Sequence, residues 1–354
     1  MKARLKQISI AGLIIAAAIW VADWFLPVSY VARQATFQAE LLWGRVDNDT
    51  VLSGGTLSKD EQQRLLWVPE IKAFGQELGL SATDNYDTIN PTFDRTIWNV
   101  SACDPLSFSP KKWWFPIVGS VPYLGFFTRQ EADVQIKALQ PSGLDTHLRT
   151  AGAYSTLGWF RDPLLPNMLK WSEYSLSNTL LHELAHATVW IPGSVQFNES
   201  FANFVGDIAS MRYMERKYGE QSDQVQRIRR AIEDRRTYRG ILVELYQELD
   251  ALYQSPQFDP DEKLREKQRL FATLPRRIGT SSIHNKAHYQ RVVTRNPWNN
   301  ARMMQFRTYN RSREWFQAVL DEQGGDLAQF MSRVQEITAD SNSPYKSLED
   351  AVNK

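Results

Sequence analysis

Leu181-His182-Glu183-Leu184-Ala185-His186-Ala187 places two histidines four residues apart with an acid beside the first. On a helix, that spacing sends both imidazoles from one face, where they can bind one metal ion. Glu183 is rotated from His182 by about 100°, so it flanks the metal and can take a proton from a metal-bound water. Glu199, in Asn198-Glu199-Ser200-Phe201-Ala202, would supply a third ligand from a second helix. His182, His186 and Glu199 would then form a His2Glu zinc site with one position open to water, holding one Zn2+ per chain. Asn203 and Asp207 fall one and two turns after Glu199 on the same face, where an oxygen acceptor could orient a metal-bound imidazole. As plain solvated helix residues they would need no such role.

The elements that must hold these groups are legible from periodicity. Leu176, Leu180, Leu181, Leu184 and Ala187 repeat at helical spacing. Ser172 or Ser175 can cap that helix, and Pro192-Gly193 can end it. Phe201, Phe204, Val205, Ile208 and Met211 mark a second helix stopping near Gly219, and the short Pro-Gly connection predicts an antiparallel pair. Residues 30–80 read as helical with a break at Gly54-Gly55. Strand signals lie at Thr96–Val100, Phe115–Val118 and Ala153–Leu157. Residues 172–340 are mainly helical. Val225, Ile228, Ile232, Ile241, Leu245, Leu249 and Leu252 form a long apolar stripe. The other face of that stripe carries Arg227, Arg229, Arg230, Arg235, Arg236 and Arg239. Such a face is either solvated or turned toward anionic lipid.

At these residues the chain resembles the gluzincins, the His-Glu-x-x-His peptidases whose third ligand is a glutamate. It is more closely similar to a family of bacterial aminopeptidases, usually membrane lipoproteins. Further segments carry that likeness: Trp113–Gly119, Ala153–Pro163, Phe197–Ala202 and Asn299-Asn300-Ala301. The resemblance implies an α+β, zincin-like metallopeptidase with a small β-sheet region before a helical catalytic part. It implies that Ala153, Tyr154 and Ser155 belong to an edge strand that pairs with extended substrate. It also implies a Tyr or His donor to the tetrahedral oxyanion. Tyr309 is the first choice, with His284, His288 and Tyr289 as rivals. The family commonly carries an N-terminal lipidated cysteine, whereas the only cysteine here is Cys103.

Another anchor is therefore expected. After basic Met1–Lys6, residues Ile8 to Val28 are apolar apart from Ser9 and Asp23. Their length as a helix is about 31 Å, enough to cross a bilayer. The preceding basic residues predict the N-terminus inside and the catalytic part outside, in the periplasm of a bacterial inner membrane. Cleavage of this segment as a signal peptide, with secretion, is the alternative. The expected division is 1–28 anchor or signal, 29–171 α+β region, 172–340 helical catalytic region and 341–354 tail. A net charge of +1 gives no footprint for nucleic acid. A single cysteine excludes an intramolecular disulfide. Twelve tryptophans and seventeen phenylalanines, many between Phe93 and Phe160, are read first as a β-rich core. The sequence sets no oligomeric state.

The expected reaction is hydrolysis of a peptide substrate by a membrane-anchored zinc aminopeptidase. An endopeptidase, or a zinc-stabilised binding protein without turnover, are the alternatives. An aminopeptidase needs an acid for the substrate ammonium, and Glu173, Asp162 and Asp207 are available.

Overall fold

The computed structural model describes residues 28–353 apart from 94, 116–118, 152–160, 296, 309–312 and 340. The expected membrane segment thus lies outside the described residues except at Val28. Among the described residues, no helix is long and apolar enough to cross a membrane. The predicted strand with Ala153, Tyr154 and Ser155, and the predicted donor Tyr309, also lie outside them.

The chain opens with α1 (Val28–Trp43), β1 (Val46–Asp47), α2 (Asn48–Ser53) and α3 (Lys59–Glu77). The break between α2 and α3 falls at the expected glycines, with Gly55 at φ 68°. Ser58 and Glu61 form a reciprocal cap on α3, satisfying two amides the helix start would leave unpaired. Short strands follow: β2 (Thr88–Ile89), β3 (Ile97–Cys103), β4 (Trp113–Phe115), β5 (Gly119–Val121) and β6 (Tyr123–Phe126). Then come α4 (Arg129–Leu139) and β7 (Asp145–Ala151). The largest sheet runs β6-β3-β7, all antiparallel, with β3 central. Two-stranded pairs β1-β2 and β4-β5 complete the strand content among the described residues.

From residue 173 the described chain is helical: α5 (Glu173–Thr188), α6 (Val195–Tyr218), α7 (Asp223–Gln254), α8 (Pro260–Ala272), α9 (Leu274–Thr280) and α10 (Lys286–Arg295). It continues through α11 (Asn300–Thr308), α12 (Arg313–Glu322), α13 (Leu327–Thr338) and α14 (Pro344–Val352). The architecture is mixed α+β, mostly helical with small sheets.

The main core runs through this whole order. Leu65 and Ile71 of α3 join Leu176, Leu180 and Leu184 of α5, Phe201 and Phe204 of α6, Phe316 of α12 and Phe330 of α13. The segment after 340, expected as a tail, includes α14. Its Leu348 is fully buried, and the Tyr345 hydroxyl donates to the Gln196 carbonyl at 2.9 Å. A second cluster gathers Val100, Leu124, Phe126 and Leu139 between the sheet and α4. A third joins α7 through Leu242, Leu245 and Leu249 to Ile278 and Met303. The aromatic excess was expected to fill a β-rich core. Phe115 and Phe126 do pack in the sheet cluster, while beyond residue 160 Phe197, Phe201, Phe204, Phe316 and Phe330, among the largest fully buried side chains, all sit on helices. Each removes apolar area worth roughly 1.5–3 kcal/mol.

Candidate metal centre

The α5–α6 pair is built to bring helix backbones close together. Ser172 caps α5 by accepting from the Ser175 amide at 3.1 Å. Asn198 fixes the turn into α6 by accepting from the Ile191 amide at 3.0 Å and donating to the Ile191 carbonyl at 2.8 Å. Gly206 then faces α5 directly. A Cβ there would lie 3.0 Å from the Asn178 carbonyl and 3.1 Å from the His182 Cβ. On the other flank of α5, a Cβ on Gly75 of α3 would meet Leu181 Cδ2 at 2.9 Å. Two glycines thus let neighbouring helices clasp the histidine helix from both sides, and α6 ends where expected at Gly219, φ 82°.

This clasp brings His182, His186 and Glu199 together. Their Nε2 atoms are 3.2 Å apart, and each lies 3.7 Å from a different Glu199 carboxylate oxygen. One ligand atom from each falls within 4.8 Å of the others, so the group could hold a metal ion. A tetrahedral ion with bonds of about 2.0–2.2 Å has ligand atoms about 3.3–3.6 Å apart, close to the observed spacing. The electrostatics point the same way. Burial lowers the pKa of His182 to about 4. Burial, then repulsion from His182, lowers that of His186 to about 3. Both rings are therefore neutral near pH 7, with lone pairs free to ligate. Burial raises Glu199 to about 7, against a smaller opposing pull from Arg149. Three desolvated donors with converging lone pairs fit a divalent cation, which would offset their burial.

The residues expected around the ligands divide. Asn203 donates to the Glu199 backbone carbonyl at 2.8 Å, bracing the helix behind that ligand. The Asp207 carboxylate instead takes Asn178 Nδ2 at 3.1 Å, Arg313 Nη1 at 2.9 Å and, more loosely, Arg235 at 3.7 Å. His186 Nδ1 is buried without a hydrogen-bond partner, so neither residue serves it. The rivals to Tyr309 have partners of their own. His284 bonds Asp234, and the Tyr289 ring packs on Tyr238. Of the acids considered for a substrate ammonium, Glu173 is buried against Tyr213, Tyr218 and Lys217.

Three neighbours were not read from the sequence. Trp190 packs edge-on against His186 at 5.6 Å between centroids. Arg149 acts on Glu199 from β7. Tyr86 is buried at φ 67° with a hydroxyl that makes no hydrogen bond. Burial first, then the negative charges of Glu183 and Asp162, pushes its pKa well up, so it stays a protonated donor. A left-handed tyrosine carries no sequence signature, since its conformation is imposed by bonds to Asp162 and Asn48 from distant elements.

The family described as "Putative aminopeptidase" matches residues 29–347 of this chain. No curated protein and no solved structure matches it.

Proposed function

The chain belongs to the putative aminopeptidase family, and from that premise we propose that it hydrolyses peptide bonds at a zinc ion held by His182, His186 and Glu199. The observation that carries the reading is the convergence of two neutral imidazoles and one desolvated carboxylate. When bound, zinc supplies a Lewis acid that polarises the scissile carbonyl and makes water more acidic.

The chain's own residues do the rest. Glu183, one residue round the helix from His182, takes a proton from the attacking water as its oxygen bonds to the carbonyl carbon. The same carboxylate returns that proton to the amine nitrogen as the carbon–nitrogen bond breaks. The α3 and α6 contacts hold α5 rigidly, so the base and the ligands keep one geometry. Tyr309 is proposed as the oxyanion donor, and residues 153–155 as the strand that pairs with substrate, both on the family resemblance.

Release of an N-terminal residue requires an acid facing the substrate ammonium. Asp162 is the proposed acid, since it shares with Glu183 an electrostatic effect on Tyr86. Residues 1–28 are proposed as a membrane anchor that places the catalytic part outside the cytoplasm.

Glu183→Gln tests the reaction. We expect zinc content unchanged and turnover lowered by about 10²–10⁴-fold. Turnover within a few-fold of the parent would remove Glu183 as the base. Peptides with free and acetylated N-termini separate the modes of cutting, and equal cleavage of both would sink the aminopeptidase reading.

A further inference from the structure

The arginine face of α7, legible as a solvated or lipid-facing stripe, is in part turned inward. Arg235 and Arg239 lie one turn apart on α7 and Arg313 opens α12. Arg235 and Arg313 share the single carboxylate of Asp207, at 3.7 and 2.9 Å. Arg239 joins them as a half-buried third cation. Burial lowers its pKa, ahead of the opposing pull of Asp207 and the repulsion of Arg313 and Arg235. Among the described residues, three guanidiniums face the Asp207 carboxylate, while Asp234 is taken up by His284 and Asn285, which leaves a local excess of positive charge in a partly desolvated place. Such an excess is costly unless an anion shares it.

A cavity of about 300 Å³ opens at this cluster, lined by Trp171, Tyr174, Ser175, Asn178, Thr179 and Arg235. The Tyr174 hydroxyl is buried at the cavity beside Ser210 and Arg235. The cavity also lies on the working face of the metal helix. Asn178 and Thr179 are each one turn ahead of His182 and Glu183, so cavity and ligands form one stripe along α5. One to two helical turns, roughly 5–11 Å, separate the cavity from the metal ligands. That equals about two to three residues of extended peptide.

We infer that this cavity is a carboxylate-binding subsite, in which Arg235 holds a substrate carboxylate two to three residues from the scissile bond and Arg239 and Arg313 add to the positive field around it. The inference rests on the peptide-hydrolysis reading above and adds the substrate class: short peptides ending there, or longer ones with an acidic side chain at that distance. Planar guanidinium forks suit a carboxylate in either source. Asn178, whose amide donates to Asp207 at 3.1 Å and Ser210 at 3.3 Å, fixes one wall of the subsite.

The test uses the full chain stripped of metal, so that binding is read without turnover and without a carboxylate occupying zinc. Calorimetric titration compares N-acetyl-Ala-Ala-Ala as free acid, the same peptide as C-terminal amide, and N-acetyl-Ala-Glu-Ala amide. The free acid or the glutamyl amide should bind at least 10-fold more tightly than the neutral amide, and whichever does names the source of the carboxylate. Arg235→Gln should erase that preference and leave the neutral amide unchanged, while Arg235→Lys restores part of it. Arg239→Gln, which removes a positive charge beside the lining, serves if Arg235→Gln fails to fold. Equal binding of all three peptides by the parent, or an equal loss for all three in the variants, overturns the inference. Hydrolysis without carboxylate preference contradicts the subsite alone. Preference without hydrolysis of the same peptides carrying free N-termini, by the zinc-loaded protein, contradicts the proposed reaction alone.

Discussion

Glu173 and Glu199 are both removed from most solvent on adjacent helices, yet their surroundings differ. Glu173, at the first turn of α5, is bonded by the Tyr213 hydroxyl at 2.9 Å, by Lys217 at 2.7 Å and by Tyr218. Its charge is met within the fold. Glu199 faces two neutral imidazole nitrogens at 3.7 Å, and burial raises it to about 7. A buried acid matched by a cation and two hydroxyls is a brace; a buried acid facing lone pairs is a site awaiting a cation.

That contrast can be broken by exchanging what each acid loses. Glu199→Gln should lower zinc affinity by about 100-fold or more, and turnover with it, because one of three ligands is gone. Metal-free stability should stay level or rise slightly, since a desolvated carboxylate has been removed. A large loss of metal-free stability, read by urea unfolding in chelator, would make Glu199 a brace as well. Glu173→Gln should do the reverse. It removes the charge met by Tyr213, Tyr218 and Lys217, although Glu70 still pairs Lys217 at 2.7 Å, and costs about 1–2 kcal/mol with Lys217 one-quarter exposed. Zinc binding in the folded fraction should be unchanged.

The clasp sharpens the same comparison. Gly206→Ala should cost about 1–2 kcal/mol, since its Cβ meets backbone and the root of His182. It should weaken zinc binding too, because that strain falls on the ligand helix. Gly75→Ala presses mainly on the flexible ends of Leu181 and Leu184, so it should lower stability with little effect on metal. Equal effects of both on metal affinity would mean that Gly206 does not set the ligand geometry.

The smallest expected effect lies on the sheet. His147 of β7 is lowered to about 4 by burial, then by Arg302 and Arg149. Its folded pKa is below its unfolded value, so the unfolded chain takes up this proton first. Stability from a neutral His147 is present above about pH 6.5 and is lost as pH falls toward 4. His147→Gln should remove roughly 1 kcal/mol of the acid sensitivity between pH 6.5 and 5.5. An unchanged pH slope, measured in metal-free protein, would place the sensitivity elsewhere.

The parts legible in the sequence are those encoded locally. The four-residue histidine spacing, the Ser172 cap, the Gly219 stop and the apolar stripe of α7 all depend on neighbours along the chain. What escaped depends on contacts between distant segments. Gly75 and Gly206 read as ordinary helix-weakening glycines until α5 lies between them. Asp207 has the right spacing to serve a histidine, but Arg313, more than a hundred residues on, takes its carboxylate. The final helix resembles a polar tail because a single turn of core contacts, led by Leu348, anchors it.

The most direct test is a zinc titration of the chelator-stripped full chain, with turnover of a short peptide followed at each addition. Activity should be absent without metal and rise linearly to a plateau at one equivalent, and Glu199→Gln and His186→Ala should fail to reach it. Full turnover in the stripped protein, or a plateau that both variants reach normally, would contradict a reaction centred on His182, His186 and Glu199.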